Sequence, residues 1–144
     1  MTVLKTHHNA YDAHYHFVFT VKYRKTLITR DIERALVHLG QEIGYRYDFD
    51  IEQMGCDGNH IHMLVSFPPK QAGSDFARIF KSITAIHLFK QFPVLKQNLW
   101  GGEFWSDGFY MATVSERGNW RTVEKYVRNQ GKTKDISSQL RLFT

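Results

Sequence analysis

"GNHIHMLVSF", residues 58–67, sets Ile61, Met63, Val65 and Phe67 against His60, His62, Leu64 and Ser66 with a period of two. That is the pattern of a strand with one face on a core. Pro68 and Pro69 end the run, and "CDGN", residues 56–59, turns the chain into it from a preceding strand. Residues i and i+2 of a strand point the same way, so the two imidazoles share the face opposite the core. Packing alone seldom places histidines like this.

Working outward, "YRYDFDIEQM", residues 45–54, alternates Tyr45, Tyr47, Phe49 and Ile51 inward with Arg46, Asp48, Asp50 and Glu52 outward, as in a half-exposed strand. Before it, Thr29 reads as the N-cap of a helix with Asp31 and Glu33 in its first turn. Ile32, Leu36, Leu39 and Ile43 recur at helical spacing up to a stop at Gly44. A first strand spans "HYHFVFTVKY", residues 14–23, with Tyr15, Phe17, Phe19 and Val21 on one face and His14, His16, Val18 and Thr20 on the other. A second helix begins near Ser74 and is expected to carry Phe76, Ile79, Phe80, Ile83, Ile86 and Phe89 on one stripe, with Arg78, Lys81 and Lys90 off it. "FPVLKQNLWGG", residues 92–102, breaks that helix. A last strand around "GFYMATVS", residues 108–115, and a last helix around "NWRTVEKYVRNQ", residues 119–130, follow, with Gly131 closing the helix.

The order β-α-β-β-α-β plus a C-terminal helix predicts an α+β, ferredoxin-like (split β-α-β, RRM-like) antiparallel sheet. Both crossover helices cover one face and the other stays open. The first and third strands are central neighbours in that topology, which sets His14 and His16 on the open face beside His60 and His62.

The 144 residues fit one domain, expected to span 1–144, with enough apolar surface for a single core. Nineteen Lys plus Arg against 14 Asp plus Glu leave a net charge of +5, which suits a polyanionic partner. Cys56 is the only cysteine, so no disulfide framework or thiolate metal cage is available, and a reducing compartment is the default. No signal-peptide pattern and no long apolar span is present, which predicts a cytoplasmic protein with no membrane partner.

Neutral imidazole is the commonest protein metal ligand, so a strand with His60 and His62 offers two preoriented donors and needs a third. A histidine-triad hydrolase would require histidine where Leu64 stands, and the zincin pattern H-E-x-x-H is absent. On the last helix Tyr126 and Gln130 lie four residues apart and share a face. Position alone leaves Tyr126 open between a packing aromatic and a nucleophile, and Gln130 between a surface residue and a ligand. Lys22, Arg24, Lys25, Arg78, Lys81 and Ser82 are candidate DNA contacts, and His16 a candidate for positioning a phosphate. Gly118, just before the last helix, is a candidate hinge.

Taken in order, "HYHFVFTVKYRK" (14–25), "GNHIHMLVSFPP" (58–69), "IFKSITAIHLFKQFP" (79–93), "LWGGEFWSDGFYMATVS" (99–115) and "VEKYVRNQ" (123–130) resemble the single-tyrosine HUH transposases of the smallest insertion sequences, the TnpA type, and their REP-associated relatives. The resemblance implies that His60, His62 and Gln130 bind a divalent metal ion, Mg²⁺ or Mn²⁺, and that Tyr126 attacks single-stranded DNA. It further implies hairpins at the element ends as partners, a homodimer whose last helix can serve the partner's metal site, and action at a bacterial or archaeal nucleoid. An RNA-recognition-type binding module would need exposed aromatics on the open face, where this sequence has histidines. A replication nickase is usually part of a longer chain. A domesticated, non-transposing hairpin processor would keep every residue named.

Overall fold

The structure, a computed structural model, describes residues 4–5, 10–11 and 13–114. Two short strands, β1 (Leu4–Lys5) and β2 (Ala10–Tyr11), pair with each other, a ribbon the sequence pattern does not announce. The main sheet contains β3 (Tyr15–Thr20), β4 (Asp50–Asp57), β5 (His60–Ser66) and β6 (Tyr110–Thr113). Its order is β4-β5-β3-β6 and every pairing is antiparallel, the ferredoxin-like arrangement expected. The helices are α1 (Arg30–Tyr47), α2 (Gly73–Gln91) and a single turn, α3 (Leu95–Asn98). No helix among the described residues is long and apolar enough to cross a membrane. The expected last helix, with Gly118, Tyr126 and Gln130, lies outside the described residues.

The core follows from the pleat. Phe17 pairs with Met63 and Phe19 with Ile61 across β3 and β5, all of them buried, and these residues meet the helices. Phe17 packs on Phe76 of α2 with ring centres 4.8 Å apart, and Phe19 on Phe80 at 5.5 Å. Each such burial removes apolar surface worth roughly 1.5–3 kcal/mol from water. From α1 the buried residues are Ile32, Leu36, Leu39, Gly40 and Ile43, which includes the whole expected stripe, and Thr29 Oγ1 accepts the Ile32 N–H at 3.3 Å as the N-cap.

Four features differ from the sequence pattern. The first strand ends at Thr20, not Tyr23, because residues Lys22–Arg24 form a 3₁₀ turn and Val21 makes only a bridge to Trp105. Helix α1 runs past Gly44 to Tyr47, which leaves Tyr45 95% exposed and starts β4 at Asp50. The reason is local: Asp48 takes the left-handed conformation, and the N–H groups of Asp48 and Phe49 both donate to the Gly44 carbonyl. A Cβ at Gly44 would sit 2.6 Å from the Phe49 carbonyl oxygen, so glycine permits the returning chain to cross the helix rather than stopping it. On α2 Phe76 and Phe80 are buried with Ala77, Thr84 and Leu88, and Ile79, Ile83 and Phe89 pack half-buried against the core as expected, while Ile86 is exposed. Thr84 is accommodated in the core because its hydroxyl donates to the Phe80 carbonyl and accepts the Trp105 indole N–H. Finally, β4 carries a bulge between Ile51 and Gln53, which frees Glu52 from strict alternation.

Candidate metal centre

The register places the histidines. Thr20 faces His60, Val18 faces His62 and His16 faces Leu64, so His16, His60 and His62 occupy the sheet face opposite the helices. His60 opens β5 directly after the two-residue turn Gly58–Asn59. That turn is bolted from both sides: Ile28 N–H donates to the Gly58 carbonyl and Val21 N–H to the Asn59 carbonyl, each at 2.9 Å. Asn59 Oδ1 lies 2.9 Å from His60 Nδ1. An amide oxygen only accepts, so this contact favours the tautomer with the ring proton on Nδ1, which leaves the Nε2 lone pair for a ligand.

The two rings are 6.1 Å apart, a separation that two imidazoles sharing one cation can adopt. Burial lowers the pKa of both, opposed in each by the Asp57 carboxylate, and His62 lowers His60 further. Burial and the nearby His62 lower His16 as well. Neutral rings are the form that ligates. Asp57 Oδ2 stands 3.9 Å from His60 Nε2, adding negative potential on the lone-pair side. Thr20 Oγ1 is buried on this face and has no hydrogen-bond partner among the described residues, as expected of a group whose partner is a bound molecule. These features fit a divalent cation. No third His, Cys, Asp or Glu among the described residues completes the set.

Two residues that sequence reading passed over position the pair. Asn59 stood in a turn motif and gave no other sign. Gly55 lies opposite His62, and a Cβ there would come within 2.6 Å of His62 Cε1 and Nε2. The imidazole therefore lies across the neighbouring strand in space that only glycine leaves. This becomes visible only once the β4–β5 register is known.

Several of the expected DNA contacts engage the protein's own groups, and Lys22 lies close enough to Lys81 to lower its pKa. Lys22 Nζ pairs with Glu103 Oε2 at 2.8 Å, and that bond raises its pKa against the opposing effect of burial. Lys25 Nζ donates to the Asn98 carbonyl at 2.7 Å. Arg24 is exposed in the 3₁₀ turn, Arg78 lies 3.8 Å from Asp75, and Ser82 is exposed on α2. Lys81 turns inward: its amine donates to the Ser106 carbonyl at 2.9 Å and to the Gly108 carbonyl, above the Phe19 and Phe109 rings. Burial pushes this amine down to about 8, against the pull of Asp107. Here it holds the segment before β6 in place. Past the other end of β3, His14 meets Glu52, which also accepts from Ser66 Oγ at 3.1 Å. The bulge in β4 delivers that carboxylate.

The profile of the family described as "Transposase IS200 like" matches residues 9–130. The chain is 31% identical to the ISDra2 transposase TnpA of Deinococcus radiodurans over 120 residues, covering 83% of this chain and 85% of that one. It is 30% identical over 133 residues to the transposase for insertion sequence element IS200 of Salmonella typhimurium, covering 92% and 86%. A crystal structure of a Deinococcus radiodurans R1 protein superposes with a TM-score of 0.81 at 26% identity, covering 88% of this chain and 97% of that chain. A REP-associated tyrosine transposase bound to a REP hairpin shares the fold, with a TM-score of 0.53 at 14% identity over 91% and 78%.

Proposed function

Since the chain belongs to the IS200-like transposase family, we propose that it cleaves and rejoins single-stranded DNA at hairpin-marked element ends. In this reading Tyr126 is the nucleophile, and His60, His62 and Gln130 hold a divalent cation, Mg²⁺ or Mn²⁺. The observation that carries it is the pair of neutral imidazoles on one sheet face, His60 aimed by Asn59 and His62 seated over Gly55. The family match, running over residues 9–130, includes all four residues. The REP hairpin bound by a protein of the same fold supports a folded-back single strand as the substrate form.

The Tyr126 oxygen attacks the scissile phosphorus and loses its proton. The bond from phosphorus to the 3′ oxygen breaks, and that oxygen leaves with the electron pair and is protonated to a 3′-hydroxyl. The 5′ end remains on the tyrosine as a phosphodiester, so a second 3′-hydroxyl can reverse the step on a new strand without ATP. A free phenol has a pKa of about 10, so the reaction needs assistance at neutral pH. A bound cation would polarise the phosphate and spread its developing charge. Two copies of the chain form the working assembly in this reading.

The test is incubation of labelled hairpin and duplex DNA with Mn²⁺ or Mg²⁺ followed by denaturing gels. The wild type is expected to leave duplex intact and to form a metal-dependent covalent adduct mapping to "YVR", residues 126–128. Tyr126→Phe, His60→Ala and His62→Ala are expected to lose the adduct while still shifting hairpin DNA, because affinity comes from dispersed phosphate and base contacts. An adduct on Tyr15, Tyr23 or Tyr110, or equal cleavage of duplex, overturns the assignment.

A further inference from the structure

Two consecutive non-glycine residues, Tyr23 and Arg24, adopt φ of 60° and 56°. Each such backbone costs energy that surrounding structure must hold in place, and positions of this kind cluster at binding sites. The holding contacts are visible: Lys22 N–H donates to the Phe104 carbonyl at 2.8 Å and Arg24 N–H to the Val21 carbonyl at 2.7 Å. Val21 N–H in turn binds the Asn59 carbonyl, one residue before His60. The strained turn is thus fixed to the hairpin that carries the metal-binding pair.

What the turn presents is an aromatic ring. Tyr23 is 60% exposed, and Trp100, 86% exposed, comes from the segment after α3. The same two segments are tied together by Lys25 Nζ on the Asn98 carbonyl and by Lys22 Nζ on Glu103. Lys22 Nζ also lies 5.6 Å from the Tyr23 ring centre. Folding gains nothing from leaving an indole and a phenol in water. Arg24 and Lys25, both exposed, follow Tyr23 in the chain and add positive charge to the turn. Flat rings interleaved with basic side chains match the chemistry of an unpaired polynucleotide, whose bases stack and whose phosphates are anionic.

We propose that Tyr23 and Trp100 form a stacking platform for unpaired bases of the strand that runs to the histidine pair. The proposal rests on the single-stranded DNA reading above and adds where the bases sit. It is tested by titrating the protein at low salt with an oligothymidylate and with an abasic strand of the same length, with 2-aminopurine fluorescence reporting stacking. The wild type is expected to prefer the base-bearing strand and to quench 2-aminopurine. Tyr23→Leu and Trp100→Ala should each reduce that preference about tenfold, the size of one stacked base, without altering abasic binding. Tyr23→Phe and Trp100→Phe should retain it. Wild-type preference in the Leu and Ala variants, or equal loss on both strands, overturns the platform while leaving the cleavage reading intact. Loss of self-association on sedimentation with unchanged strand preference also overturns it, marking the patch as a protein contact. A wild type that binds neither strand removes the single-stranded DNA reading and the platform with it.

Discussion

A methyl group at position 55 would occupy the space of the His62 imidazole, since a Cβ there falls 2.6 Å from Cε1 and Nε2 of that ring. The ring is the softer partner and must rotate off the strand, taking its lone pair with it. Gly55→Ala is therefore expected to fold and to weaken metal binding roughly 10- to 100-fold, the usual cost of disturbing a group that orients a ligand. Calorimetric titration with Mn²⁺ checks this, with Gly101→Ala as the control because nothing lies within 4 Å of that position. Unchanged affinity in a folded Gly55→Ala protein means that His62 ligates from another rotamer. The residues that orient the pair were illegible in sequence for a definite reason. Gly55 acts through a cross-strand neighbour seven positions away, and Asn59 through a side-chain oxygen inside a turn where asparagine is commonplace. The histidines themselves were legible because strand alternation alone fixes their shared face.

At the C-terminal end of α1, two residues have opposite relations to the same turn. Gly44 lies under the Phe49 carbonyl, where a Cβ would approach within 2.6 Å of backbone that cannot move without breaking the bond from Phe49 N–H. Asp48 holds a φ of 62°, which glycine adopts freely. Gly44→Ala should thus destabilise the fold by about 1–3 kcal/mol, as overpacking does. Asp48→Gly should stabilise it by about 0.5–1 kcal/mol through the relieved left-handed strain. Urea denaturation of both variants measures the pair, and a stabilised Gly44→Ala would show that the turn relaxes at no cost. The sequence misplaced this boundary because Tyr45, Tyr47, Phe49 and Ile51 alternate as well as any strand. The deciding interaction, a carbonyl receiving two N–H groups from the returning chain, leaves no periodic trace. Among the described residues the four sheet strands and two long helices have the expected type and order, since long apolar stripes and alternations dominate them, whereas the strained turn at Tyr23 and the bulge at Glu52 leave no periodic trace.

At the scale of the molecule, the described helices α1 and α2 take one face of the sheet and the histidines the other, so the proposed metal pair sits where a further element can dock. Among the described residues no third His, Cys, Asp or Glu joins it, and the proposed nucleophile and third ligand, Tyr126 and Gln130, lie outside them. In the proposed reading the last helix serves this face, and the open question is whose helix serves it. In a symmetric dimer the helix either returns to its own sheet or crosses to its partner's, and mixed dimers separate the two arrangements. Take His60→Ala, which keeps its tyrosine, and Tyr126→Phe, which keeps its histidines; each alone is inactive in either arrangement. If the helix crosses, one of the two composite sites in a mixed dimer unites intact histidines with an intact tyrosine, and the other unites both lesions. Half the dimers in an equal mixture are mixed and half their sites are sound, so cleavage should recover to about a quarter of wild type. If the helix stays home, every site in every dimer carries one lesion, and no mixture recovers. We expect recovery, read as the covalent adduct on denaturing gels after subunit exchange is verified with two differently tagged chains. The adduct must then form only on the His60→Ala chain, because that chain alone carries the tyrosine.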